Sequence, residues 1–424
     1  MKDSLSRVFN AGLQFATLSA RFLFIFFIAK YLNVASVGYY GLFTSAIGYA
    51  MYFVGFDFYT YATREIIKTP ITRRGGVLKS QMALSGFLYL ILWPVAFLFL
   101  YKSNWPKNLV WWFLPILILE HFNQETSRFL IALSQPITAS FILFVRQGSW
   151  AVASVALMTW DTPSRQLETV MVLWTIAGII AAVVGIRKVL QMKMGGWNLA
   201  VDWVWIRRGI RISSSLLGAT LALRGMQTVD RYWLEDLGGI EIVSAYVLLL
   251  SVAGTLMTFL DAGVFAYTYP NLIEMLHKNE HAAVRLIERQ MLLQTIAISI
   301  SYALFSWLTL PYLLYWISNP VYQSAQHWYP WLMAAMVVNA VSCVPHYCLY
   351  ARRLDIHIII SHIGGLIVFI VSVCILRSTR GVDAVPLGLN IAFIFILVWK
   401  TAAYLVKCRW KIKGSSEFQS ENSL

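Results

Sequence analysis

The stretch ATLSARFLFIFFIAKYL, residues 16–32, sets Arg21 in the middle of an apolar run. A guanidinium facing lipid there costs about 2.5–3.5 kcal/mol on insertion scales. It also offers a planar, permanently charged fork that suits phosphate and carboxylate. Arg146 lies in another apolar run, and Arg224 and Arg231 share a third. Each of these cations must either line a water-filled space or pair with an acid, and for Arg21 the acids at hand are Glu120 and Asp57. Arg231 and Lys400 lie close enough to the ends of their runs to snorkel.

A second cluster falls in EHFNQETSRF. On a helix Glu120, Gln124 and Arg128 recur at i, i+4 and i+8, with His121 and Glu125 beside them, so one broad face is polar. Such a face inside a bilayer must turn toward protein or water. Its carboxylates either couple protons or neutralise Arg21 and Arg146. Thr220, Arg224, Gln227, Thr228 and Arg231 share a face in the same way, and Asn339, Ser342 and His346 do so more weakly. His121, His346 and His362 read as hydrogen bonders between helices. Asp57 and Asp261 fall in the inner third of their runs, Asp57 within reach of Arg64 or Arg73. No Walker motif, GxSxG, HExxH or Gly-rich nucleotide loop is present, so no catalytic residue, cofactor or metal is expected and the protein is not read as an enzyme.

The elements that position these residues follow from composition. The 424 residues are 58% hydrophobic and only 13% charged, with a mean hydropathy of +0.64, against about 25% charged in soluble domains. Apolar stretches of nearly 20 residues recur, long enough to cross a ~30 Å hydrocarbon core, and there they must be helices. They fall at roughly 10–31, 38–60, 80–101, 109–131, 138–160, 167–187, 212–234, 242–268, 290–315, 328–350, 355–377 and 384–406. The ninth carries Pro311, where it could tilt or break. The first runs past the length of a signal peptide and has no small-residue cleavage site after it, so it counts as a span. Cys343, Cys348, Cys374 and Cys408 form no CxxC pair, which argues against both a disulfide framework and a zinc site.

The net charge of +14 is distributed as the positive-inside rule requires. With the N-terminus inside, the outer loops hold only Lys30, Lys102, Lys107, Arg165, Arg377 and Arg380, and most other basic residues fall in inner loops. This favours an even number of spans with both termini cytoplasmic, and removes the case for nucleic acid as a partner. The longest inner connection carries Trp197, Val201 and Trp205 at helical spacing ahead of Arg207, Arg208 and Arg211, which predicts an amphipathic helix at the interface. The expected organisation is an N-terminal six-helix lobe (1–187), a cytoplasmic amphipathic linker (188–211), a C-terminal six-helix lobe (212–406) and a polar, disordered cytoplasmic tail (407–424). The halves echo one another. Arg7 and Arg21 recur at nearly the same spacing in Arg211 and Arg224, and Asp57 and Asp261 each precede a Tyr-Thr-Tyr, as in a parallel transporter repeat.

ARFLFIFFIAKYLNVASVGYYGLF followed by YFVGFDFYTYATREIIK resembles the opening of bacterial Wzx-type polysaccharide flippases. The matching elements are Leu32, Gly38, Tyr39, Asp57, Arg64, Glu65 and Ile66. Phe58 departs from the pattern, which has glycine after that aspartate. The resemblance covers about the first 70 residues. It implies the exporter superfamily that also holds the MATE and lipid II flippase groups: an all-α polytopic membrane protein of about 12 transmembrane helices in two six-helix lobes around a central cavity. The implied substrate is a polyprenyl-pyrophosphate-linked oligosaccharide, flipped across the bacterial cytoplasmic membrane by alternating access. Arg21, Arg146, Arg224 and Arg231 would then hold its anionic head group. Glu120, His121, Gln124, Glu125, Arg128, Asp57 and Asp261 would line a polar cavity or couple protons. Membrane lipids, a polysaccharide polymerase and a chain-length regulator are the further partners implied. A MATE-like exporter of small cations and a polytopic polysaccharide polymerase or glycosyltransferase remain as alternatives. The first should have an acidic cavity and the second a sizeable outer loop.

Overall fold

The computed structural model describes residues 2–102 and 105–409; the tail from residue 410 onward lies outside the described residues. The described chain is helical, without a strand among the described residues. Each of the twelve expected spans falls on helix, the second with a break at residues 56–58. Eight stretches are long and apolar enough to cross a membrane, the last of them, Asp355–Lys407, holding two successive helices. The spans below that apolarity are the ones at 38–60, 109–131 and 212–234. The last two carry the polar faces described above, so the candidate site and the weakest hydropathy coincide.

Two compact units divide the chain at Met1–Leu217 and Gly218–Leu424. The first contains α1 (Lys2–Tyr31), α2 (Val34–Gly55), α3 (Tyr59–Lys68), α4 (Arg74–Lys102), α5 (Lys107–Ala132), α6 (Pro136–Phe144), α7 (Trp150–Trp160) and α8 (Leu167–Gln191). A π turn, Val145–Ser149, joins α6 to α7. α5 packs on α2, α6 and α8, and α1 lies along α6 and α7. Gly178 and Gly185 let α8 approach α5, since a Cβ at Gly185 would stand 2.8 Å from Thr126. Small residues at such crossings replace the hydrophobic drive that lipid cannot supply.

The second span is interrupted. Phe56 and Asp57 both have left-handed backbone, at φ 52° and 49°, which costs roughly 1–2 kcal/mol per non-glycine residue. Phe58 itself has φ −63°, so no glycine is needed where the family resemblance expects one. Its ring is 1% exposed and packs edge-on against Trp205, with centroids 5.1 Å apart. A Cβ at Gly209 would overlap that ring and stand 2.5 Å from Tyr61.

The amphipathic helix expected over Trp197, Val201 and Trp205 does not form. Residues 192–202 run as turns and irregular backbone, pinned to the loop before α4 and to its first turn by Gly195 N–H to the Ile71 carbonyl (3.0 Å) and Gly75 N–H to the Gly195 carbonyl (2.8 Å). A Cβ at Gly195 would meet the Thr72 carbonyl at 2.6 Å, and Gly196 has φ +90°, so the chain threads where only glycine fits. Helix resumes only after Asp202, whose carboxylate caps the Trp205 N–H at 2.8 Å. From there α9 (Trp203–Gly238) runs without a break.

The second unit continues with α10 (Ile240–Leu260), a π turn (Asp261–Phe265), α11 (Ala266–His277), α12 (His281–Ile317), α13 (Pro320–Ser324), α14 (Tyr329–Ala351), α15 (Asp355–Arg380) and α16 (Ala384–Tyr404). α12 passes through Pro311 as one helix. α14 packs against α10, α12 and α16, and α15 against α16. Gly365 and Gly388 make the α15–α16 approach close: their Cβ positions would stand 2.6 Å from Ile396 and 2.7 Å from Val373.

Candidate functional site

In the first unit the polar face of α5 separates into two centres. At one, the Glu120 carboxylate meets the Arg146 guanidinium at 3.2 Å. Arg146 also donates to the Glu120 carbonyl (2.9 Å), and the Trp174 indole N–H donates to Glu120 Oε1 (2.7 Å). Glu120 and Arg146 are only 5% and 4% exposed. Trp150 stacks on Trp174 at 4.9 Å and donates its own indole N–H to the Arg146 carbonyl. The pair is therefore enclosed by aromatic rings, where electrostatic attraction is strong and an unpaired charge is costly.

At the other centre Glu125 pairs with Arg128 (2.7 Å) and accepts from the Gln81 amide (2.7 Å). The Arg128 guanidinium lies 3.6 Å over the Tyr59 ring. Tyr59, Thr63, Gln81, Glu125 and Arg128 line a pocket of about 10 Å³, room for one water. Buried His121 sets its ring 5.8 Å from that of Tyr89. Gln124 is half-buried on the same helix, and Asp57 is buried at the helix break before α3.

Arg21 belongs to neither centre. It is exposed, and its Nη1 donates to the Gln147 side-chain oxygen at 2.9 Å. The π turn makes this division possible, directing Arg146 into the core and its neighbour Gln147 toward α1. Gly148 beside them lets α1 approach, its Cβ position 3.3 Å from the Thr17 backbone. Among the described residues no carboxylate lies within ion-pair distance of Arg21. Glu120 neutralises Arg146, not Arg21.

In the second unit the α9 face predicted from spacing forms. Arg224 is exposed and donates to the Gln227 side chain (3.1 Å), Thr228 donates to the Arg224 carbonyl (2.9 Å), and Arg231 donates to the Gln227 carbonyl (2.6 Å). Arg231 is half-buried. Asp261 is exposed in its π turn and lies within electrostatic reach of Arg224. Lys400 does not snorkel; it is 3% exposed.

Several partners escaped the sequence reading: Gln81, Gln147, Trp174 and the buried Asp230. Asp230 takes the Tyr246 hydroxyl at 2.7 Å and the Arg231 backbone N–H at 2.7 Å. Only Asp230 carried a usable signal, an acid at mid-helix between two arginines. Another network joins Glu288 to Arg352 (2.8 Å) and to the Tyr404 hydroxyl (2.7 Å).

No family model matches the chain, and no curated protein matches it. Solved structures do. A multidrug resistance MATE family transporter of the MOP superfamily, in an inward-facing conformation, superposes with TM-score 0.76 at 11% identity, over 91% of this chain and 94% of that one. The MATE multidrug transporter DinF-BH gives 0.66 at 13% identity, over 95% of each chain. The Vibrio cholerae MATE transporter VcmN in its bent form gives 0.58 at 12% identity, over 94% and 97%. The chain thus has a MATE-like transporter fold and is a polytopic membrane protein.

Proposed function

We propose that this protein carries an anionic amphiphile, a polyprenyl-pyrophosphate-linked oligosaccharide, from the inner to the outer leaflet of the bacterial cytoplasmic membrane by alternating access. Both termini would be cytoplasmic, and a polysaccharide polymerase would consume the product. The observation that carries this reading is Arg21, a mid-span guanidinium that is exposed and, among the described residues, has no carboxylate within ion-pair distance, while the acids on α5 are already engaged with Arg146 and Arg128. Such a charge must face water rather than lipid, and a pyrophosphate is the ligand that its fork suits. Arg224 in the second unit, exposed on α9 beside Gln227 and within electrostatic reach of Asp261, offers a second guanidinium. Arg146 contributes indirectly, by holding Glu120 away from Arg21.

The test is production of surface polysaccharide by a host lacking its own flippase. Arg21→Ala or Arg224→Ala should abolish it at unchanged protein level, and normal polysaccharide with both variants would reject recognition by charge. The multidrug transporters among the solved structures favour a second reading, a MATE-like exporter of small molecules. It is distinguished by a drug-resistance profile that follows the gene while polysaccharide does not.

A further inference from the structure

Lys400 sits on α16 at 3% exposure, and among the described residues no carboxylate lies within ion-pair distance of it. Its neighbours come from the two helices packed against α16. Cys343 and His346 on α14 and His362 on α15 all feel its charge. The two imidazoles are stacked, with centroids 5.8 Å apart and planes 11° from parallel. None of the three is a fixed anion. The acids nearest in the unit are committed or remote. Glu288 of α12 is bound to Arg352 and to Tyr404, one turn beyond Lys400. Asp261 of the π turn acts on Cys343 and Tyr347 rather than on Lys400. A buried ammonium with no counter-ion is among the costliest arrangements a membrane interior can hold.

A second observation points to what relieves it. His362 is 6% exposed, and its Nδ1 is buried without a hydrogen-bond partner. The ring also lies within range of the Ala219 backbone on α9. An unpartnered imidazole nitrogen that feels the Lys400 charge is a group that can exchange a proton. We propose that Lys400, His362 and His346 form a proton-binding site in the C-terminal unit, exchanging one proton with solvent by way of half-buried Cys343 and exposed Asp261. Loading moves a proton onto the lysine–imidazole group and unloading returns it to water, with no other bond changed. The site stands whatever the transported substrate is.

Potentiometric titration of the full-length protein in detergent, between about pH 5 and pH 9, compares the wild type with Lys400→Met and with Lys400→Arg. Arginine keeps charge and bulk without releasing a proton, so the comparison survives if the methionine variant does not fold. The wild type minus each folded variant should change by one bound proton within the window. His362→Gln should displace the midpoint of that step by more than about half a pH unit, as coupled sites require. A difference that stays flat across the window overturns the proposal, because a permanent ammonium releases nothing there. A step present in chloride and absent in gluconate also overturns it, making Lys400 an anion ligand. A step unmoved by His362→Gln overturns the pairing with imidazole.

Discussion

Replacing Glu120 by Leu leaves the Arg146 guanidinium enclosed by Trp150 and Trp174 with no counter-charge. At 3.2 Å separation and an effective dielectric constant of about 20, the lost attraction is on the order of 5 kcal/mol. Measured losses on breaking a buried pair run about 3–5 kcal/mol. The Trp174 indole loses its acceptor at the same time, a further cost of about 1–3 kcal/mol. Arg146→Met should be comparably harmful, because it strands the carboxylate instead. Combined, the two substitutions remove both charges together, so the double variant should be more stable than either single one, by several kcal/mol of coupling. Unfolding of the four proteins in one detergent, followed by tryptophan fluorescence and closed as a double-mutant cycle, gives this coupling. Surface polysaccharide in the complementing host then shows whether a neutral core still supports transport. Additive losses would refute the assignment of Arg146 as a structural partner of Glu120 and return it to the ligand-binding groups.

Introduced singly in a background lacking the native cysteines, Arg21→Cys and Arg224→Cys should react with a small membrane-impermeant thiol reagent while Arg146→Cys does not; labelling at 146 equal to that at 21 would contradict the burial. Gly209→Ala should cost about 1–3 kcal/mol through overpacking against the fully buried Phe58 ring, seen as a lower unfolding temperature, with partial recovery when Phe58→Leu is added. Gln147→Ala should leave stability within about 1 kcal/mol yet lower polysaccharide output, since it frees Arg21 from its hydrogen bond to Gln147. Gly195→Val should destabilise by several times more than Gly218→Val, because the first meets the Thr72 backbone and nothing lies within 4 Å of the second.

The helices were legible because lipid leaves a chain few alternatives: every long apolar run had to be helical, and each is, apart from the break at residues 56–58 in the second. The failures share a cause. The break at Phe56 and Asp57 is fixed by where Phe58 packs, against a glycine some 150 residues further on, and local sequence carries no trace of that contact. Trp197, Val201 and Trp205 have helical spacing, yet Gly195 and Gly196 commit the segment to hydrogen bonds with another loop, and periodicity cannot weigh those against a helix. At the candidate site the residue types were legible and the pairing was not. Arg21 and Arg146 both looked eligible for Glu120, and the choice is made by a π turn whose one extra residue per turn rotates Arg146 inward. For Lys400, distance to the end of the helix suggested snorkelling, but the packed face of α16 decides its environment, and that face is set by glycines on α15.

The two units dispose of their intramembrane charge by different rules. In the first, the buried cation Arg146 has a carboxylate and two tryptophans holding it, so its charge is fixed and its geometry rigid, and Arg21 is the group left to respond to a ligand. In the second, the charge of the buried cation Lys400 is felt by Cys343, His346 and His362 and, among the described residues, no carboxylate lies within ion-pair distance of it, while Asp230 is satisfied by Tyr246 and by backbone. A permanently charged arginine paired with an acid cannot change its charge in the physiological range, whereas a lysine among imidazoles can. If the protein uses a proton to bias its conformations, that proton therefore belongs to the second unit and the more rigid electrostatics to the first. Exchanging the chemistry tests this division: Lys400→Arg should leave stability nearly intact and make polysaccharide output independent of external pH, whereas Arg146→Lys should lower stability and leave the pH dependence as it was. PH dependence lost through Arg146→Lys and kept through Lys400→Arg would reverse the assignment of the two units.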